Sequence, residues 1–375
     1  MKISPLDFFN ILTDNNIDFF TGVPDSLLKE FCFCIDDKVT DQKHIVAANE
    51  GNAIGLACGY YLSSGKIPLV YMQNSGLGNA INPLLSLCDQ SVYSIPMIIV
   101  IGWRGQPQTE DAPQHYRQGE VTLGLLDALG IEYRIMPDTS IETKNCVVEL
   151  IKTASVKKAP VALVVKKNTF EKYSSKQKEQ ALFELTCQES IKLILDKLQH
   201  KDVVVSTTGK ISRELYEYRK KSDQAHNRDF LMVGSMGHCS QIALSIAYEK
   251  PLRQVFCLDG DGAVIMHMGA LAIIGSSSAK NFKHIIINNG SHDSVGGQST
   301  AGFKISFVDI AKACGYKIVF LASTASSIEE KISELCRAQG PALLEIRIKG
   351  SHVSKLGRPK SLKENKENFM EFLSK

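Results

Sequence analysis

The feature that most constrains this chain is a recurrent pattern of short, continuous Val/Ile/Leu runs separated by longer amphipathic stretches. Residues 17–23, 44–48, 68–72, 95–101 and 161–165 form one series of apolar runs. Residues 203–206, 230–233, 255–258, 284–287, 318–321 and 343–348 form a second. A strand with one solvated face alternates apolar and polar residues, whereas an unbroken apolar run requires cover on both faces. Strands alternating with helix-length segments then predict α/β architecture, with doubly wound parallel sheets. Between the two series lies a polar, lysine-rich stretch, 166–180, without apolar periodicity. It predicts two domains, 1–170 and 186–375, joined by a linker over 171–185.

Composition excludes several classes. Of 375 residues, 44% are hydrophobic and 22% charged, which supports sizeable cores and argues against disorder. Lys plus Arg (43) nearly balances Asp plus Glu (40), so no nucleic-acid or membrane footprint is expected. No apolar run approaches the ~20 residues of a membrane span. Asp7 interrupts any leader-like apolar stretch at the N-terminus, so a cytoplasmic location is expected. The ten cysteines are scattered, without metal-ligand spacing, and read as reduced thiols.

Chemistry-bearing residues cluster where apolar runs end. Gly260-Asp261-Gly262 closes one run of the second series, and Asn288-Asn289 closes the next, with 25 residues between Gly262 and Asn288. That spacing is one βαβ crossover, with one helix, 263–275, expected between the two motifs. In open parallel sheets ligands gather at the carboxyl ends of strands, so the two motifs are expected to converge. A carboxylate, an amide oxygen and nearby carbonyls are hard ligands suited to Mg2+ and phosphate oxygens. The flanking glycines allow close backbone approach. Two more turns follow strand-like runs: Thr207-Thr208-Gly209 and Gly234-Ser235-Met236-Gly237. In the first half, Glu50 follows the run 44–48 and opens a small-residue helix.

Taken together, these motifs resemble the thiamin diphosphate (ThDP) enzyme family, in which Gly-Asp-Gly is followed by Asn-Asn at about this spacing. The resemblance implies a pyrimidine-type domain followed by a pyrophosphate-type domain, with no middle domain. It implies ThDP and Mg2+ as cofactors, with Asp261, Asn289 and a backbone carbonyl near Ser291 as metal ligands. Thr208, Gly209, Gly234, Ser235, Gly260, Gly262 and Ala263 would lie along the cofactor. Met236 would occupy the position of the apolar wedge that bends it. Glu50 would hydrogen-bond its aminopyrimidine ring. The resemblance further implies an obligate homo-oligomer, a dimer or larger, with active sites shared between subunits.

Three segments point within that family. They are Thr21 to Ser26, GWRGQPQTEDAPQH at 102–115, and NNGSHDSVGGQ with the tail LGRPKSLKENKENF. They resemble the branch that decarboxylates phosphonopyruvate, with sulfopyruvate decarboxylases as close relatives; both act on small 2-oxo acids. That implies release of carbon dioxide and phosphonoacetaldehyde, with Asp25, Ser26, His115 (expected in a polar loop) and His292 as candidates for proton relay or substrate contact. A second acid group on the substrate calls for cationic fork donors. Arg104, Arg117, Arg358 and Lys360, all expected in loops, are the candidates, and Arg104, just past the run 95–101, is favoured. Sulfopyruvate as substrate, or a ThDP-binding subunit without catalysis, are the alternatives.

Overall fold

The computed structural model describes residues 2–175, 182–350 and 356–375. Residues 176–181 of the expected linker and 351–355, just before the Leu-Gly-Arg-Pro tail, lie outside the described residues. The chain forms two compact units, Met1–Lys178 and Glu179–Lys375.

The first unit holds six strands: β1 (Phe20–Gly22), β2 (His44–Val46), β3 (Leu69–Gln73), β4 (Ile98–Gly102), β5 (Glu132–Ile135) and β6 (Val161–Val165). The second holds β7 (Val203–Ser206), β8 (Asp229–Leu231), β9 (Val255–Gly260), β10 (Phe282–Asn288), β11 (Ile318–Ala322) and β12 (Ala342–Arg347). Their orders are β2-β1-β3-β4-β6-β5 and β8-β7-β9-β10-β12-β11. Counted from the first strand of each unit, the two orders are identical. Every pairing is parallel.

The continuous apolar runs have the expected physical cause. In β4, Ile98 and Val100 enter one core while Ile99 and Ile101 enter another, on the opposite face. In β9, Phe256 and Leu258 face one core, and Val255 and Cys257 the other. Alternate side chains leave opposite faces of a strand, and here each face is roofed by helices. Each fully buried Val, Leu or Ile side chain contributes roughly 1.5–3 kcal/mol. All ten cysteines are free. Among the described residues no helix is long and apolar enough to cross a membrane.

Three local expectations are corrected. β5 was not foreseen, because its sequence, Glu-Tyr-Arg-Ile, is a short edge strand with two exposed residues. The segment 263–275, read as one helix, forms two, Asp261–Met266 and Gly269–Gly275. His267 leaves the helical conformation there, and its ring packs on His238 at 4.5 Å between centroids. His115 and Arg117, read as loop residues, lie in the helix Pro113–Ala128. Pro113 starts that helix at a position where its missing N–H costs nothing.

One buried ion pair ties the edge of the second sheet to its helical layer. Arg219, on the helix Lys210–Lys221, forks onto Asp229 of β8, with Nε–Oδ2 2.8 Å and Nη2–Oδ1 3.0 Å, and both side chains are fully buried. Removing one member strands the other charge in the core. Asp229→Ala is therefore expected to lower the unfolding free energy by about 3–5 kcal/mol in denaturant titration; a loss below about 1 kcal/mol would contradict this account of the edge.

Candidate active site

In both sheets the strand order reverses direction beside the first strand, between β1 and β3 and between β7 and β9. At such a switch point the loops leaving adjacent strands diverge and leave a crevice at the carboxyl ends.

In the first unit, Asp25 follows β1 and is fully buried. Its Oδ1 accepts from Gln73 Nε2 at the end of β3 (3.0 Å), and its Oδ2 from the Leu27 amide (2.9 Å). Burial pushes the Asp25 carboxyl up to about 6, although the Leu27 amide and the charge of Arg104 oppose the rise. Asp25 and Ser26 do not cap the next helix directly, since that helix runs Lys29–Lys38. Instead Ser26 Oγ accepts from Arg104 Nη1 at 2.7 Å. Arg104 just follows β4, and the remainder of its fork is held by Asp111, with Nε–Oδ2 2.8 Å and a second bond from Nη2 to Oδ1. Burial of Asp111 works against its ionisation, but the Arg104 guanidinium and the Ala112 and Gly105 amides hold the carboxyl well below the usual range. Asp25, Ser26 and Arg104 thus form one network. His115 joins its margin, because the backbone of Gly105 packs directly against that of His115.

Glu50 is the first residue of the helix Glu50–Ser64, which Asn49 caps by accepting from the Asn52 amide (2.9 Å). The carboxylate is 5% exposed, and its Oε2 accepts from Asn79 Nδ2 at 2.7 Å. A Cβ at residue 76 would lie 2.3 Å from Glu50 Oε1, so only glycine fits there.

In the second unit, Asp261 opens the short helix after β9 and is 3% exposed. Thr300 Oγ1 donates to its Oδ2, and the Asn289 amide donates to the same carboxylate. Burial nevertheless raises the Asp261 carboxyl to about 6, and no cation is among the groups that oppose the rise. The two Asn residues have separated roles. Asn288 is fully buried and spends its amide on Gly302 O (2.8 Å) and Glu345 Oε1 (2.9 Å). Asn289, besides the backbone amide it gives to Asp261, accepts the Ser291 amide on its side-chain Oδ1 (3.0 Å). The buried Ser291 hydroxyl has no hydrogen-bond partner among the described residues.

Around this core, Thr208 Oγ1 accepts from the Gly234 amide at 2.8 Å, linking the turns after β7 and β8. Gly234, Ser235 and Gly237 all have positive φ, which presents this turn as a tight bend. A Cβ built on Gly262 would lie 3.0 Å from His292 Cε1 and 3.3 Å from Met236 Cε. Both side chains therefore crowd the Gly-Asp-Gly turn. Burial lowers the His292 imidazole to about 4. Gly209 opens the helix Lys210–Lys221, and Gly260 and Ala263 flank Asp261 in the same turn region.

The structure thus places the candidates in two sets, one in each unit: in the first, Asp25, Ser26 and Arg104 are linked directly and Glu50 is held separately by Asn79. It adds Gln73, Asn79 and Asp111 to the first, and Thr300, Gly302 and Glu345 to the second. Asp111 lies within the segment already singled out, whereas Thr300 and Gly302 carry no sequence signal of their own. The second set fits a magnesium diphosphate: its donors are oxygens, Asp261 is a buried carboxylate without a countercharge among the described residues, and glycines leave room for phosphates.

The fold and these donor sets define a two-domain, cofactor-dependent α/β enzyme of the ThDP type. Residues 7–128 match the thiamine pyrophosphate enzyme N-terminal TPP binding domain, and residues 207–346 match the C-terminal TPP binding domain. The chain belongs to the thiamine pyrophosphate enzyme family, whose cofactors are ThDP and Mg2+. It is 31% identical to the phosphonopyruvate decarboxylase of Streptomyces viridochromogenes, over 96% of this chain and 91% of that protein. It is 25% identical to the sulfopyruvate decarboxylase of Methanosarcina acetivorans, over 97% and 96% of the two chains. The alpha subunit of sulfopyruvate decarboxylase from Methanococcus maripaludis is 35% identical over 42% of this chain and 90% of its own. The chain is a decarboxylase related to both groups.

The raised Asp25 carboxyl has a consequence for stability. Its unfolded value lies near 3.9, so between pH ~4 and 6 the native state binds the extra proton. The contribution of Asp25 to stability therefore falls as pH rises through that window, by at most about 3 kcal/mol for a two-unit shift. Asp25→Asn should flatten this part of the apoprotein's stability–pH profile, measured by denaturant midpoints. An unchanged slope would contradict the buried, raised carboxyl.

Proposed function

We propose that this enzyme decarboxylates phosphonopyruvate to phosphonoacetaldehyde and carbon dioxide, as a step in making phosphonates. The observation that carries this reading is similarity to a phosphonopyruvate decarboxylase along nearly the whole of both chains, with Glu50 and the Asp261 motif both present. Sulfopyruvate is the second reading, favoured by the more distant full-length relative.

Bound ThDP supplies the electron sink for the pair left by departing carbon dioxide. The residues of this chain do the rest. Asp261, the Asn289 side chain and the Ser291 carbonyl hold Mg2+. Gly260, Gly262 and Ala263 on one side, and Thr208, Gly209, Gly234 and Ser235 on another, offer backbone and hydroxyl groups to the diphosphate. Met236, crowded against Gly262, would act as the apolar wedge against the cofactor. Glu50 holds a proton on the pyrimidine ring nitrogen; Asn79 fixes the orientation of its carboxylate. Asp25, with its carboxyl near 6, and His292, a neutral imidazole at pH 7, are suited to move a proton to and from the reacting carbon. Ser26, His115 and Arg104 line the substrate side. The reading also includes an obligate homo-oligomer, in which one cofactor is served by Glu50 of one copy and Asp261 of another.

Turnover of the two acids in direct competition, with ThDP and Mg2+ present, tests the substrate: phosphonopyruvate is expected to be preferred, and preference for sulfopyruvate would overturn the assignment. Glu50→Gln should lower kcat by at least about 100-fold while leaving the thermal midpoint unchanged, since an amide cannot hold the ring proton. A variant keeping most of its activity would refute the role of Glu50. Asp261→Ala should lose Mg2+-dependent ThDP affinity in calorimetry, and wild-type affinity would refute its role as metal ligand. Mixed Glu50→Gln and Asp261→Ala chains should regain activity on subunit exchange; verified exchange without activity would exclude shared sites.

A further inference from the structure

The tail segment Leu-Gly-Arg-Pro has no part in the site as built so far, and its docking is specific. Arg213, one turn into the helix Lys210–Lys221, donates from Nε to the Leu356 carbonyl at 3.1 Å and adds a second bond from Nη2. On the same helix Glu217 Oε1 accepts from the Gly357 amide at 2.9 Å. The approach is so close that a Cβ on residue 357 would meet Glu217 Oε1 at 2.3 Å. Beyond this clamp the tail helix Leu362–Ser374 is fixed to the sheet edge, where Asn365 Nδ2 donates to the Asp229 carbonyl at 3.1 Å. Arg358 is therefore held between two anchors, next to Arg213.

The helix that carries Arg213 starts at Gly209, at the carboxyl end of β7. Helical side chains tilt toward the N-terminus of their helix, so Arg213 leans back toward that end. The loop bearing His292 lies at the same end: a Cβ on Gly209 would sit 3.3 Å from Ser294 Oγ, and Lys210 pairs with Asp293 at 3.1 Å. Lys210 is thus committed to a carboxylate. Arg358 has no hydrogen bond or ion pair among the described residues, and Glu217 is the acid near Arg213. Burial first, and the charge of Arg358 second, lower the Arg213 pKa, the signature of two cations placed together without enough counterion. Arg104, the cation favoured on sequence grounds, has its fork filled by Asp111 and Ser26.

We propose that Arg213 and Arg358 form the fork that binds the second acid group of the substrate, a tetrahedral phosphonate or sulfonate, at the carboxyl end of β7. The proposal rests on the reading of the protein as a decarboxylase of such acids. Arg213, with Nε and one Nη2 hydrogen given to Leu356, keeps its Nη1–Nη2 edge, and Arg358 keeps its whole fork among the described residues; parallel N–H donors of this kind suit a tetrahedral dianion. The Leu-Gly-Arg-Pro sequence then has a physical purpose. Glycine permits the close approach to Glu217, arginine supplies the charge, and proline ends the segment before the tail helix.

The test uses the full chain loaded with ThDP and Mg2+. Arg358→Gln and Arg358→Lys are compared with wild type on phosphonopyruvate and on sulfopyruvate, and Arg213→Lys serves as a second position. Arg358→Gln should raise the KM for phosphonopyruvate about 10- to 100-fold, the loss expected for charge-assisted hydrogen bonds. The change in kcat should be smaller, Arg358→Lys should recover part of the loss, and ThDP affinity in calorimetry should stay within about twofold. The same loss on sulfopyruvate supports recognition of either acid group, and a larger loss on phosphonopyruvate supports recognition of the dianion. A KM within about twofold of wild type in Arg358→Gln, with wild type active on phosphonopyruvate, would overturn this proposal alone. A parallel fall in ThDP affinity would also overturn it, by moving the arginines to the cofactor. If wild type turns over neither acid, the reading of the function fails, and this proposal fails with it.

Discussion

Asp261 is a buried carboxylate surrounded by hydrogen-bond donors and, among the described residues, paired with no cation, and the turns around it are built to hold it in place. Thr300 and the Asn289 amide orient it, while burial lifts its carboxyl to about 6. A carboxylate desolvated in this way is costly unless a positive charge joins it. A divalent ion carrying a diphosphate would supply that charge, and its hard oxygen preference matches the donors present. The neighbouring groups are consistent with this. Asn288 is consumed in holding the loop through Gly302 and Glu345, whereas Asn289, whose backbone amide donates to Asp261, is not.

The identical strand order of the two sheets explains why the candidate residues fall into two sets. In each unit the order reverses beside the first strand, and in each the chemistry-bearing loops leave the carboxyl ends near that reversal. The contents of the two crevices differ in kind. The first gathers acids that can hold or move protons, Asp25 and Glu50. The second gathers oxygens, glycines and hydroxyls suited to a metal diphosphate. On the proposed reading, the first set would serve the reactive ring of the family's cofactor and the second its diphosphate.

Much of this was legible in the sequence, and the reasons are physical. Continuous apolar runs announce strands roofed on both faces, and eleven such runs match strands of the two sheets. β5 escaped because an edge strand with two exposed residues has no such run. Gly260-Asp261-Gly262 and Asn288-Asn289 were legible because adjacent parallel strands bring their ends together at a fixed sequence spacing. Thr300 and Gly302 were not, because a returning loop delivers them to Asp261 without any local pattern. Arg104 shows the opposite limit. Its place after a strand was read correctly, but sequence alone does not reveal that Asp111, seven residues later, fills its fork. The tail presents the same difficulty. The positions of Arg213 and Arg358 are distant in sequence, and only the clamp by Leu356 and Gly357 brings them together.

The central claim is that these two sets of residues serve one ThDP molecule. The most direct measurement is a crystal structure of the full chain grown with ThDP and Mg2+. The account predicts a Glu50 carboxylate oxygen within about 3 Å of the pyrimidine ring nitrogen, and Mg2+ coordinated by Asp261 and Asn289 at about 2.1 Å. A bound cofactor whose ring lies away from every Glu50 in the assembly, or whose metal is held without Asp261, would contradict it.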